Sequence, residues 1–152
     1  MPSLEGIFLL RRSLLALLLA LATTACGGDN PNEPSPPPQG PANLVVEDLV
    51  VGTGAEATGG RSLNVTYILY LYDPAGSGGR GQQLAGPEQF PFRQGTNATI
   101  QGFEQGTHGM LVGGVRRITI PPSLAYGAGG RPPTIPGNAW LVFDGQLNAV
   151  AD

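Results

Sequence analysis

The sequence predicts an α+β fold, an antiparallel β-sheet wrapped around one short α-helix. Three observations carry this expectation. Segments rich in β-branched and aromatic residues alternate in polarity along the chain. Only one stretch, Ile100–Thr107, reads as a helix. The chain also carries 24 Gly and 15 Pro, so turns are abundant.

The elements follow in order. Leu44–Val51 reads as a strand interrupted by the polar pair Glu47-Asp48. Arg61–Asp73 is a longer strand, with Val65, Tyr67, Leu69 and Leu71 on one face. Pro74–Pro87, with Gly76, Gly78, Gly79, Gly81 and Gly86, is expected as a mobile surface loop, followed by a short strand at Phe90–Arg93. The helix at Ile100–Thr107 is weakened by Gly102 and Gly106. Val115–Ile120 places Ile118 and Ile120 opposite Arg117 and Thr119. Trp140–Leu147 is the last strand, with Leu141, Phe143 and Gly145 on one face. Periodicity does not give the strand order.

The folded unit is expected at residues 43–152, behind two segments of different character. Residues 1–25 combine Arg11-Arg12, the apolar run Leu14–Ala22 and small residues before Cys26, the layout of a secretory signal. The run is shorter than the roughly 20 residues a membrane-spanning helix needs. Cys26 is the single cysteine, so no intramolecular disulfide forms and no Cys-based metal site is expected. Its setting after Ala25 resembles a bacterial lipobox, which implies cleavage before Cys26 and acylation of its thiol. Multiple acyl chains anchor far more firmly than one. The alternative is plain cleavage that leaves a free thiol. Residues 26–42 then form a tether, because six Pro among polar residues cannot bury enough apolar surface to offset chain entropy. At ~3.1 Å per residue it spans roughly 40–50 Å. By resemblance to envelope lipoproteins, Gly27 rather than Asp after the cysteine favours outer-membrane sorting, facing the periplasm; the alternatives are secretion or the cell surface.

Charge and composition exclude several functions. Without residues 1–25, ten acids face six Arg and no Lys, so no basic stripe is available for nucleic acid. His108 is the only histidine, and no carboxylate pair sits in an apolar context, so hydrolytic and general acid–base machinery is not expected. Gly113-Gly114 precedes a strand and lacks the Lys of a phosphate loop.

The most informative stretch runs from Pro122 to Asp144. It sets Tyr126 at the mouth of a Gly/Pro-rich loop, Ile135 near that loop's end, and Phe143 on the strand that follows. Together these make a shallow apolar pocket with one hydrogen-bonding handle. The blocks Ala125-Tyr126-Gly127 and Leu141-Val142-Phe143-Asp144 resemble the C-terminal signature of FKBP-type peptidyl-prolyl cis-trans isomerases. Upstream, Val65-Thr66-Tyr67 resembles the family's V-x-Y strand. Phe90-Pro91-Phe92 is similar to its F-x-F segment, and Thr99-Ile100-Gln101-Gly102-Phe103-Glu104 to V-I-x-G-W-E. Met110 and Val112-Gly113 fit its M-x-V-G turn. The resemblance covers about residues 44–148.

It implies a catalytic set of Tyr67, Tyr126 and Phe143, and a substrate-binding set of Leu84, Phe90, Thr99, Ile100, Phe103 and Ile135. Phe90 would be a wall, Phe103 the floor, and Thr99 and Ile100 the rim. The Ile100 backbone N–H and the Tyr126 hydroxyl would each hold a substrate carbonyl. No cofactor and no metal are implied. The partners implied are proline-containing peptides, unfolded envelope proteins, and macrolides of the rapamycin kind. Prolyl isomerisation suits a site without acids or bases. Its ~18–20 kcal/mol barrier is amide resonance, and an apolar pocket binds the twisted amide relatively better than water does.

The family's Phe-Asp pair falls at Leu84-Ala85. The pocket is therefore expected to keep an apolar wall and to lose its carboxylate, with lower turnover. Glu88 is the next acid, but nothing in the sequence shows that it reaches. The alternative function is a low-activity or inactive peptide-binding, chaperone-like module.

Overall fold

The structure is a computed structural model that describes residues 35–152. The signal segment and the lipidation site Cys26 lie outside the described residues. Of the tether, residues 35–42 are described and carry no regular secondary structure.

Five strands form one antiparallel sheet, β1 (Val45–Val50), β2 (Ser62–Tyr72), β3 (Arg80–Arg93), β4 (Val115–Ile120) and β5 (Leu141–Ala151). Their order across the sheet is β1-β4-β5-β2-β3. One α-helix, α1 (Gln101–Thr107), packs on one face of the sheet, against β4. The expected class is therefore the observed one. Among the described residues no helix is long and apolar enough to cross a membrane.

The period-2 faces meet under the helix. Leu63, Val65 and Leu69 of β2, Ile118 and Ile120 of β4, and Leu141, Phe143 and Leu147 of β5 are all buried there with Phe103 of α1. The two glycines that weaken α1 as a helix are what let it sit so close. A Cβ on Gly102 would collide with Ile120 Cγ2, and one on Gly106 with Ile118 Cγ2. Packing of the helix on the sheet thus outweighs its low propensity.

Polar side chains hold the helix ends. The Glu104 carboxylate accepts the Gly95 and Ala98 N–H groups, each at 3.1 Å, and so ties down the loop leading into the helix. At the other end Arg116 Nη1 donates to the carbonyls of Gly106 (2.9 Å) and His108 (2.8 Å), where a cation suits the helix dipole. The same guanidinium pairs with Asp48 of β1 through Nε at 2.6 Å, binding three elements together.

Three expectations about β-structure need correction. The segment expected as a mobile loop over Pro74–Pro87 is a short turn at Ser77–Gly79 followed by β3, and the expected strand Phe90–Arg93 is only the end of that 14-residue strand. Gln and Gly gave no alternation to read. The pairing Leu69↔Ala85, Tyr70↔Gln83 and Tyr72↔Arg80 is made by backbone groups, which β2 supplies. On the outer face Arg80 joins Arg117 on the Asp144 carboxylate, at 3.2 Å and 2.7 Å. The last strand also runs past Leu147 to Ala151. A register shift opposite Asn64/Val65 breaks its alternation there, and Asn148 Nδ2 bonds Asn64 Oδ1 and Thr66 Oγ1 instead.

Candidate functional site

Four aromatic side chains from four elements converge where α1 meets the sheet. Tyr67 comes from β2, Phe90 from β3, Phe103 from α1 and Phe143 from β5. The Phe103 and Phe143 rings lie 4.9 Å apart, centroid to centroid. Tyr67 stands 5.5 Å from Phe143, 5.9 Å from Phe103 and 6.3 Å from Phe90, tilted or edge-on. They line a cavity of about 530 Å³. Phe103 (2% exposed) and Phe143 (6%) are nearly enclosed by the core beneath it.

Its rim is built from two loops. Thr99 and Ile100 close one side, where Ile100 caps α1 and its carbonyl accepts the Phe103 and Glu104 N–H groups. No acceptor among the described residues takes the Ile100 N–H, which leaves a donor at the mouth. Tyr126 closes the other side, between the 3₁₀ turns Pro122–Leu124 and Gly127–Gly129. Its loop is closed by Asn138 N–H donating to the Gly127 carbonyl (2.8 Å) and Arg131 N–H to that of Ile135 (2.8 Å). The Tyr126 hydroxyl receives only a long 3.4 Å contact from Arg131 Nη1.

Tyr67, Phe90, Thr99, Ile100, Phe103, Tyr126 and Phe143 all line this one cavity. Leu84 and Ile135 are not in this cavity. They line a second one of about 240 Å³ beside it, and Leu69, Ala85 and Arg131 form the wall the two share.

The expected loss of the carboxylate is also corrected. Ala85 lines the cavity as a methyl group, but Glu88 lines it too, and its carboxylate accepts a hydrogen bond from the Tyr67 hydroxyl. A bulge in β3 makes this possible. Leu69 faces Ala85 while Tyr67 faces Glu88, so β3 spends one more residue than β2 between the two pairs. Gly86, at φ +84°, occupies the bulge. A Cβ there would collide with the Tyr67 carbonyl oxygen, so only glycine fits. Gly86-Pro87 ahead of an acid was the one signal in the sequence, and it reads equally as a loop.

Burial, then the bond to Glu88 and its negative charge, push the Tyr67 phenol up to about 12. Tyr67 is therefore a neutral donor near pH 7. No group of three or more His, Cys, Asp or Glu among the described residues is arranged to hold a metal ion. The site offers an aromatic basin, unused or weakly used donors at its mouth, and a carboxylate on one wall. Such a site is fitted to bind and orient a small apolar ring flanked by peptide carbonyls.

A five-stranded antiparallel sheet wrapped on one short helix, with this basin between them, defines a class of α+β domains. Residues 54–148 match the family described as FKBP-type peptidyl-prolyl cis-trans isomerase. The chain is 42% identical over 111 residues to FK506-binding protein 4 of Dictyostelium discoideum, covering 73% of this chain and 29% of that protein. It is 40% identical over 106 residues to peptidyl-prolyl cis-trans isomerase FKBP15-3 of Arabidopsis thaliana, covering 68% of this chain and 71% of the relative. Among solved structures, the crystal structure of AtFKBP13 superposes with a TM-score of 0.60 at 31% identity, covering 71% of this chain and 93% of the other. The chain belongs to the FKBP-type peptidyl-prolyl cis-trans isomerase family. It spans under a third of the length of the Dictyostelium relative.

Proposed function

We propose that the chain is a peptidyl-prolyl cis-trans isomerase that binds the twisted X-Pro amide in the aromatic basin. The observation that carries this reading is the convergence of Tyr67, Phe90, Phe103 and Phe143 beneath the Ile100 N–H and the Tyr126 hydroxyl. The prolyl ring lies against Phe103 and Phe143. The Ile100 N–H and Tyr126 hydroxyl each hold a neighbouring carbonyl, fixing one side of the amide while the other rotates. As the amide twists, resonance is lost and the carbonyl dipole falls. The apolar walls then favour the twisted form over the planar one, which is differential binding and needs no proton transfer. Rapamycin-like macrolides, whose apolar ring and carbonyls present similar chemistry, compete for the basin.

The clients we propose are unfolded proteins of the bacterial cell envelope, in which X-Pro isomerisation takes tens to hundreds of seconds unaided. The signal-like segment, Cys26 and the Pro-rich tether support this setting, with the domain held by a lipid anchor on the periplasmic face of the outer membrane. A second reading, a peptide-binding module with little turnover, is favoured by one observation, the methyl group of Ala85 on the basin wall.

Exchange spectroscopy on short Xaa-Pro peptides separates the two. The isomerase accelerates cis/trans exchange, and combining Tyr126→Phe with Phe143→Ala abolishes the effect. Binding without acceleration establishes the second reading. Radiolabelled fatty-acid incorporation that Cys26→Ser leaves unchanged would remove the anchor from the proposal.

A further inference from the structure

The second cavity, beside the basin, has a chemistry of its own. Leu84, Ile135 and Pro132 provide apolar walls, with Leu69 and Ala85 in the partition, and Thr134 adds a hydroxyl. Its single charged lining residue is Arg131. Among the described residues Arg61, Arg80, Arg116 and Arg117 each meet a carboxylate, whereas Arg93 and Arg131 meet none, and of those two only Arg131 lines a cavity. Its side chain has only the long contact to the Tyr126 hydroxyl and a position 5.9 Å over that ring.

The partition is what links this cavity to the basin. Leu69, Ala85 and Arg131 line both, and at Ala85 the wall is only a methyl group. A peptide whose proline fills the basin therefore has a flanking side chain beside the second cavity. About 240 Å³ accepts one side chain. An apolar stem suits Leu84 and Ile135, and an anionic end suits an unpaired guanidinium. Glu88, the one carboxylate nearby, lines the basin and not this cavity, and it is already engaged by the Tyr67 hydroxyl.

We infer that Arg131 is a specificity-determining residue. With a proline in the basin, the second cavity selects an acidic side chain, Glu above all, on the residue flanking that proline. The inference rests on the basin being the prolyl site. Lysine at the same position finds no carboxylate in this cavity and faces Arg131.

The test titrates the full chain with matched peptides that carry Glu, Gln or Lys on either side of one proline, following backbone amide shifts for affinity and exchange spectroscopy for turnover. Glu is expected to bind roughly two- to fivefold more tightly than Gln on one side, the size of effect an exposed ion pair gives. The difference should shrink as NaCl is raised. Arg131→Glu should turn the order round in favour of Lys, while Arg131→Lys keeps it. Equal affinities for Glu and Gln, or a Glu preference that survives Arg131→Glu, overturns the inference, as does the absence of binding by every peptide. If peptides bind with the charge order but none exchanges faster, the isomerase reading fails and the selectivity of Arg131 stands.

Discussion

The Tyr67 hydroxyl donates to the Glu88 carboxylate across the β2–β3 ladder, and a one-residue bulge at Gly86 is what sets the two face to face. This pair restores a carboxylate to a basin whose expected acid position holds Ala85. Added to burial, it helps to raise the Tyr67 phenol.

The Tyr67 phenol is raised from 10.0 to about 12 by burial first and by Glu88 second. A raised folded-state value means that the neutral phenol is favoured by folding. Its stabilising contribution is complete below pH 10 and is lost as pH climbs through about 12. Denaturation of wild type and Tyr67→Phe at a series of alkaline pH values should give curves that converge across that window. Phenolate absorbance in Glu88→Gln should show Tyr67 titrating lower than in wild type, though still above the ordinary value because burial remains.

Replacing Gly86 by Ala forces a side chain into a φ of +84° and against the Tyr67 carbonyl. We expect a loss of about 1–3 kcal/mol in urea denaturation. Displacing the bulge also pulls Glu88 away from Tyr67, so the Tyr67 titration should shift down in the folded fraction. A variant as stable as wild type would show that β3 tolerates another path.

Gly102→Ala raises helix propensity yet should destabilise the protein. The added methyl meets Ile120 Cγ2 at the helix–sheet contact, and overpacking of this kind costs about 1–3 kcal/mol against a propensity gain of about 1 kcal/mol. The sign of the change in Tm decides the matter. A rise in Tm would mean that α1 can lift off the sheet without loss.

Tyr126→Phe removes a hydroxyl whose only contact within the protein is the 3.4 Å approach of Arg131. Stability should therefore change by less than about 0.5 kcal/mol. Turnover on Xaa-Pro peptides should fall about three- to tenfold, the value of one hydrogen bond to the substrate. Unchanged turnover would take Tyr126 out of the proposed orienting role.

Part of the site was legible in the sequence because Tyr67 and Phe143 sit in strands whose periodicity assigns their faces, while the rim residues Thr99, Ile100 and Tyr126 were legible only through the family's motifs. Tyr67 shares a face with Val65 and Leu69, and Phe143 with Leu141, so both had to point into the core side of the sheet. Phe103 was legible through the resemblance of Thr99–Glu104 to the family's motif. Cross-strand register was not legible, and that is where the errors fell. The polar and Gly-rich half of β3 carries no alternation, so Arg80–Ala85 looked like loop although β2 supplies its hydrogen-bond partners. Glu88 could not be placed, because whether it faces Tyr67 or lies one residue off depends on a bulge.

The sequence alone determined an antiparallel sheet around a short helix, because local periodicity and residue type dictate which side chains are buried, and the resemblance of its motifs to the family's pointed to the aromatic basin. Only the tertiary structure decided which charges border that basin. Glu88 on one wall and Arg131 between two cavities are set by register and loop closure. Those are relations between backbone groups far apart in the chain, and side-chain pattern does not encode them locally.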